Sequence, residues 1–291
     1  MKKIEANFFN DWIEILKNDL LNRGYTINDD WDNHKVSNYY FNLVRRLIEP
    51  KKRNVLRSNV FTCPTEHQNG LNLIVCKIES GIDLTPHLSK SIRNLIYDDD
   101  LLNDWGIYHL HLGTELEDQS EFIKRTGPLL YVRFDNDNAY LINVFNHQSW
   151  TKLDIIRIIH NNWPDSIEPY RLTDVIGLEY PPTDHDIKEL RNAHINSLVE
   201  LDQGIVYIPL GGGLASSGFS NEAVGITRRY QKLINKIESH LKENIDSIIE
   251  KNNLTQFKDL DELDFKMQVF NNKFYAIESQ TRVAINYGEM I

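Results

Sequence analysis

The chain has 291 residues, a quarter of them charged, and a net charge of −10, which are the figures of a folded globular protein with room for one large core or two ordinary ones. No run approaches the roughly eighteen apolar residues of a membrane span. The start, Met1-Lys2-Lys3-Ile4-Glu5, lacks the apolar core of a secretory signal, so a cytoplasmic location with no membrane contact is expected. Cys63 and Cys76 lack CxxC spacing and read as ordinary thiols, and the acidic excess excludes nucleic-acid binding over the whole surface.

The helical pattern comes first. Phe8, Phe9, Trp12, Ile13, Leu16, Leu20 and Leu21 recur at the spacing of an amphipathic helix over 7–23, with Gly24 as its stop. A second helix is expected over 37–48, ended by Pro50. A third starts at Thr65 and runs to Glu79 before Gly81, and Thr85-Pro86 opens a short one. Strands follow at 106–113, 128–134 and 139–145, the last two joined by the turn composition Asp135-Asn136-Asp137-Asn138, so a small antiparallel sheet is predicted. Ser149 or Thr151 caps a covering helix through Asn162.

Beyond Glu179-Tyr180-Pro181-Pro182-Thr183-Asp184 the pattern predicts a helix over 185–201, a strand over 204–210, a glycine-rich loop, a helix over 221–250, and a C-terminal hairpin (265–270 and 274–278) turning at Asn271-Asn272. The fold class expected is α+β. Its parts are a helical N-terminal portion, a small antiparallel sheet with covering helices, and a second α+β region with a long helix and hairpin. The double proline sets the expected boundary between 1–178 and 179–291.

Charge is uneven along this layout. From Lys35 to Arg57 there are seven basic residues against the single acid Glu49, and from Asp98 to Ile123 eight acids and no Lys or Arg. Basic residues suit a helix C-terminus. Arg45, Arg46, Lys51, Lys52 and Arg53 also form the local patch able to meet an RNA backbone.

The chemistry is expected on the strand Trp105-Gly106-Ile107-Tyr108-His109-Leu110-His111-Leu112-Gly113. Alternate strand residues share a face, so His109 and His111 point one way with Ile107, about 6.5–7 Å apart, while Tyr108, Leu110 and Leu112 face the core. Two imidazoles at that spacing can straddle a phosphate as base and acid, since histidine titrates near neutrality. Lys124, Arg125 and Arg133 supply cations that grip a phosphate, and Tyr131 and His147 assist. The base would take the proton of a ribose 2′-OH, the oxygen would attack phosphorus, and the acid would protonate the departing 5′-oxygen, with no cofactor. A competing structural use pairs Arg125 and Arg133 with the acids of 115–121. The remaining histidines, 34, 67, 87, 160, 185, 194 and 240, show no partner spacing.

From Leu102 to Trp163 the order helix, strand, strand, strand, helix, with His, Arg, Lys and Tyr scattered over the sheet, resembles the RelE/barnase-like ribonuclease toxins. The resemblance implies an endoribonuclease acting as a toxin or in antiviral defence. The same strand supports a second chemistry. His109-Leu110-His111 followed by Glu115 is similar to the first metal-binding motif of cupin barrels, and implies a divalent ion held by His109, His111 and Glu115.

Two further features invite a ligand or partner. Gly211, Gly212 and Gly213, with Ser216 and Ser217, lie between strand and helix, where backbone amides can cradle a phosphate, although neither G-x-x-x-x-G-K-[ST] nor G-x-G-x-x-G is matched. Along the long helix, Tyr230, Leu233, Ile234, Ile237, Leu241, Ile245, Ile248 and Ile249 form an apolar stripe. It suits a core. It also suits a homodimer seam or a partner-holding face in a non-catalytic adaptor.

Overall fold

A computed structural model describes residues 2–146, 149, 151–258 and 260–290. In chain order, β1 (Lys3–Ala6), α1 (Phe8–Asn22), α2 (Asn33–Arg46), β2 (Asn54–Arg57), α3 (Gln68–Ser80) and α4 (Asp100–Trp105) precede β3 (Tyr108–His111), β4 (Pro128–Phe134) and β5 (Asn138–Asn146). Then come α5 (Asp154–Asn162), α6 (Asp184–Asn192), β6 (Val199–Leu201), β7 (Ile205–Tyr207), α7 (Asn221–Lys251), β8 (Glu262–Phe270), β9 (Lys273–Glu278) and β10 (Ala284–Glu289). The fold is α+β. None of the described helices is long and apolar enough to cross a membrane.

The chain divides into two compact units, residues 1–41 with 223–291, and residues 42–222. The division is discontinuous and does not run through Pro181-Pro182. In the terminal unit the sheet order is β1-β8-β9-β10, with β1 parallel to β8 and Lys3 opposite Glu262. Alternation along β8 and β9 buries Leu263, Phe265, Met267, Phe274 and Ala276. Their hairpin turns where Asn271 and Asn272 both adopt positive φ (48° and 59°), the conformation that a two-residue type I′ turn needs.

Aromatic rings lock the helices of this unit together. Trp12 of α1 stacks on Tyr230 of α7 at 5.0 Å, and Phe41 of α2 stacks on the same ring at 5.3 Å. The long-helix stripe is buried among them: Tyr230, Ile234, Ile237, Leu241, Ile245 and Ile248 belong to this core. Those side chains are occupied in this core, as the core reading of the stripe expects, while Leu233 and Ile249 are partly buried against it.

In residues 42–222 the sheet order is β2-β5-β4-β3, with β2 parallel to β5 and the other pairs antiparallel. The sheet is therefore mixed rather than purely antiparallel. Ile155, Ile156 and Ile159 of α5 pack with Ile107, Leu129, Tyr131 and Ile142 on one face. The opposite face is closed as well: Leu110, Leu130, Val132 and Leu141 are fully buried. Gly70 lets α3 come close to the end of β3, because a Cβ there would sit 1.7 Å from the Leu112 carbonyl oxygen.

Two expected helices differ, and three strands are additional. The helix expected over 185–201 stops at Asn192, His194 takes a positive φ of 55°, and Val199–Leu201 becomes β6. The helix of Ser149 or Thr151 begins at Asp154 with no side-chain cap. β1, β2 and β10 were not expected; two of them are four residues long and half exposed.

Candidate functional site

β3 is an edge strand whose two faces are both covered. The expected open histidine face does not exist: His109 is 7% exposed and His111 4%, because that face carries Ile107 into the core under α5. His111 is bound into the backbone. The Thr126 amide donates to its Nδ1 at 3.4 Å, and its own carbonyl accepts from His87 Nδ1 at 2.8 Å. The His87 Nε2 faces Lys77 Nζ at 3.0 Å. His87, which showed no signal in the sequence, is fully buried, and burial lowers its pKa to about 4. It is a neutral structural link between α3 and β3.

His109 has a different setting. Its Nδ1 lies 3.9 Å from Asp99 Oδ2, while Asp99 Oδ1 caps α4 by accepting from the Leu102 amide at 3.1 Å. The cap fixes the carboxylate, and the strand fixes the imidazole. Both line a pocket of about 280 Å³ together with Asp98, Asp100, Lys188 and Arg191. Lys188 and Arg191 stand three residues apart on α6 and so share a face. Arg191 is largely committed, donating from Nε to Asp104 at 2.8 Å, with Nη2 also 2.8 Å from that carboxylate as an ion pair, and lying 4.1 Å over the Trp105 ring.

The pocket is acidic in balance. Burial raises the carboxyls of Asp98 and Asp100, against the lowering pull of Arg46 on the first and Arg191 on the second. Burial likewise raises Asp104, although Arg191 opposes it. Tyr131, directly opposite His109 on β4, is fully buried with a hydroxyl that has no hydrogen-bond partner among the described residues. Burial and the charge of Asp99 raise that phenol well above its usual range.

No protein-family model, curated protein or solved structure matches the chain. The site is therefore read from its own geometry.

The other expected site residues are dispersed. Arg133 lines a second pocket with Arg45, Arg53 and Tyr108. Arg125 and Lys124 are exposed, and Lys124 pairs with Glu115 at 2.8 Å. Three of the acids expected to hold Arg125 and Arg133 pair elsewhere: besides Glu115, Glu117 meets Lys90 at 2.5 Å and Glu121 meets Arg93. His147 lies outside the described residues. Glu115 points to its lysine, and among the described residues no three His, Cys, Asp or Glu side chains group as metal ligands would, His109, His111 and Glu115 included.

The glycine loop is a packing device. Gly211 donates to the Asp104 carbonyl, Gly212 to Pro209 and Gly213 to Asn103, at 2.9, 3.0 and 2.8 Å. A Cβ on Gly211 would sit 2.1 Å from the Leu102 oxygen. The three amides expected to cradle a phosphate are thus taken, and Ser216 and Ser217 face outward. The basic patch turns inward for the same kind of reason. Arg45 donates to Asn103, Leu102 and Gly211; Arg46 reaches Asn94 and Leu95; Arg53 reaches the Asp135 and Glu49 carbonyls. Only Lys51 and Lys52 of the five remain exposed.

Sequence reasoning missed Asp98, Asp99, Asp100, Lys188 and Arg191. The run of three aspartates was visible as charge, but nothing local announced that cations about ninety residues later would share its pocket.

Proposed function

We propose that residues 42–222 bind a small ligand with a positively charged end, in the pocket that joins Asp98, Asp99 and Asp100 to His109. The observation that carries this reading is the pocket itself: three carboxylates and an imidazole converge on about 280 Å³, and of the two cations there one is already held by Asp104. Carboxylates attract a cation at close range, more strongly as water is excluded. Asp98 and Asp100 hold the charged end, and His109, with Asp99 Oδ2 3.9 Å from its Nδ1, meets a neighbouring polar group.

Cleavage of RNA by a histidine pair needs both imidazoles at one phosphate, with arginines beside them. The support for that chemistry is limited to His109, since His111 is committed to Thr126 and Arg133 lines a different pocket. A cationic ligand is the better electrostatic match.

Thermal unfolding and titration calorimetry with small diamines and guanidines test the reading. Binding should raise the midpoint, weaken about tenfold or more in Asp98→Asn/Asp100→Asn, and fade as pH falls, because the raised carboxyls lose their charge earlier than ordinary ones. Amine binding indifferent to the double variant would sink the proposal. So would RNA cleavage and growth arrest on expression that are abolished by His109→Ala or His111→Ala in protein that still folds.

A further inference from the structure

A second pocket in residues 42–222, of about 370 Å³, is lined by Arg133 with Tyr108, Phe134, Tyr170, Arg45 and Arg53, a volume within the range of small-molecule sites. Arg133 is the anomaly. It is 8% exposed, and its Nη1 has no hydrogen-bond partner among the described residues. A buried guanidinium ordinarily has a carboxylate and saturated donors, because leaving it bare forfeits solvation without return.

Every acid on the pocket wall is otherwise engaged. Glu222 accepts from Arg45 Nε at 2.5 Å, and Glu49 lies 3.8 Å from Arg53. Asp135 accepts from the amides of Asp137 and Asn138 and from the Tyr140 hydroxyl, at 2.8, 2.7 and 2.6 Å. Arg45 and Arg53 are fixed by backbone carbonyls as well. Arg133 therefore holds the positive charge in this wall that no carboxylate answers among the described residues, and its guanidinium carbon lies 5.9 Å from the centroid of the Tyr170 ring. Guanidinium beside aromatic faces is a combination that takes a planar ring carrying anionic oxygens: the fork grips two oxygens while the ring stacks.

We infer that the Arg133 pocket is a binding site for a planar aromatic ligand bearing a phosphate or carboxylate group. The shared chemistry of the two is a pair of anionic oxygens on a ring-bearing molecule of nucleotide size or smaller. The site is separate from the pocket at His109 and does not depend on it.

The test is titration calorimetry on the full chain with adenosine monophosphate, phenyl phosphate, benzoate and inorganic phosphate. At least one of the ring-bearing anions should bind, and the preferred one separates phosphate ester from carboxylate. Arg133→Gln should weaken that binding about tenfold or more, Arg133→Lys by less, since it keeps the charge and loses the fork. Tyr170→Leu should weaken the ring-bearing ligands and leave inorganic phosphate unchanged. No binding of any probe at millimolar concentration overturns the inference, as does unchanged affinity in Arg133→Gln. A measurement without ligand guards against a merely structural arginine: Arg133→Met should unfold at the wild-type temperature or above it, because it removes an unanswered buried charge. A clearly lower midpoint would assign the guanidinium to the fold and overturn the site.

Discussion

The two units hide different things. In residues 1–41 and 223–291 the core is apolar and aromatic, and among the described carboxyl, imidazole, guanidinium and ammonium groups only Glu278 is buried. In residues 42–222 the buried groups of those kinds are Arg46, His87, Asp104, His109, His111, Arg133 and Arg191. Burying such groups is costly, and evolution retains them where they fix a unique arrangement or face a ligand. The contrast places most of the buried ionisable groups in residues 42–222, the unit in which ligand binding is proposed. It also sorts the seven. Arg46, His87, His111 and the Asp104–Arg191 pair hold the fold, with Arg191 also on the wall of the pocket that His109 lines, and Arg133 lines the other pocket.

The sharpest way to break that contrast is to cut the Asp104–Arg191 pair. Arg191→Ala leaves a buried carboxylate without its cation and should cost about 3–5 kcal/mol in chemical denaturation. Asp104→Leu/Arg191→Met, which removes both charges, should recover most of the loss. If the single and double variants are equally unstable, packing of Arg191 over Trp105 outweighs the ion pair, and residues 42–222 resemble the terminal unit more than their charges suggest.

Acid provides the next largest effect. His87 is held neutral, with a folded pKa of about 4 against an unfolded value of 6.5. Its contribution is complete above the unfolded value, and it is lost as pH falls below 6.5 and through about 4, when the unfolded chain takes the proton that the folded state refuses. The loss amounts to at most about 3 kcal/mol. Asp98, Asp100 and Asp104 act in the opposite sense, since carboxyls with raised pKa favour the folded state as they protonate. The discriminating measurement is therefore the stability of wild type minus that of His87→Gln between pH 7 and 4. The difference should shrink on acidification; a constant difference would remove His87 from the account.

Much of the local structure was legible in the sequence. The stripe on α1, the Asn271-Asn272 turn and the long α7 follow from periodicity and turn chemistry, which depend on neighbours in the chain. The discontinuous units were not legible, because β1 pairs with β8 across almost the whole sequence and no local pattern records a partner that far away. The histidine strand shows a subtler limit. Alternation located β3 correctly, but period two reports which residues share a face and is silent on what covers that face. With α5 isoleucines above it, a polar residue there is a buried one. Arg133 was legible as a strand arginine, and its lack of a carboxylate among the described residues was not, since that depends on where Glu49, Asp135 and Glu222 find their partners.

The smallest effect belongs to the terminal unit and sharpens the comparison from its other side. Ser37 of α2 and Thr227 of α7 are buried, with hydroxyl oxygens 3.0 Å apart, a neutral contact inside an apolar core. Thr227→Val keeps the shape of the side chain and removes the hydroxyl. Ser37 then loses this partner, which for a buried hydroxyl costs about 1 kcal/mol. The serine stands within a helix, where its hydroxyl can turn to the carbonyl four residues earlier, so the loss should not exceed that figure. Ser37→Ala/Thr227→Val should return close to wild type because no polar group is left unmet. Thermal unfolding of wild type and the two variants at two pH values would decide it: a pH-independent loss confined to the single variant fits a neutral contact uncoupled from the buried Glu278, whereas a loss of several kcal/mol or one that varies with pH would tie the contact to a titrating group.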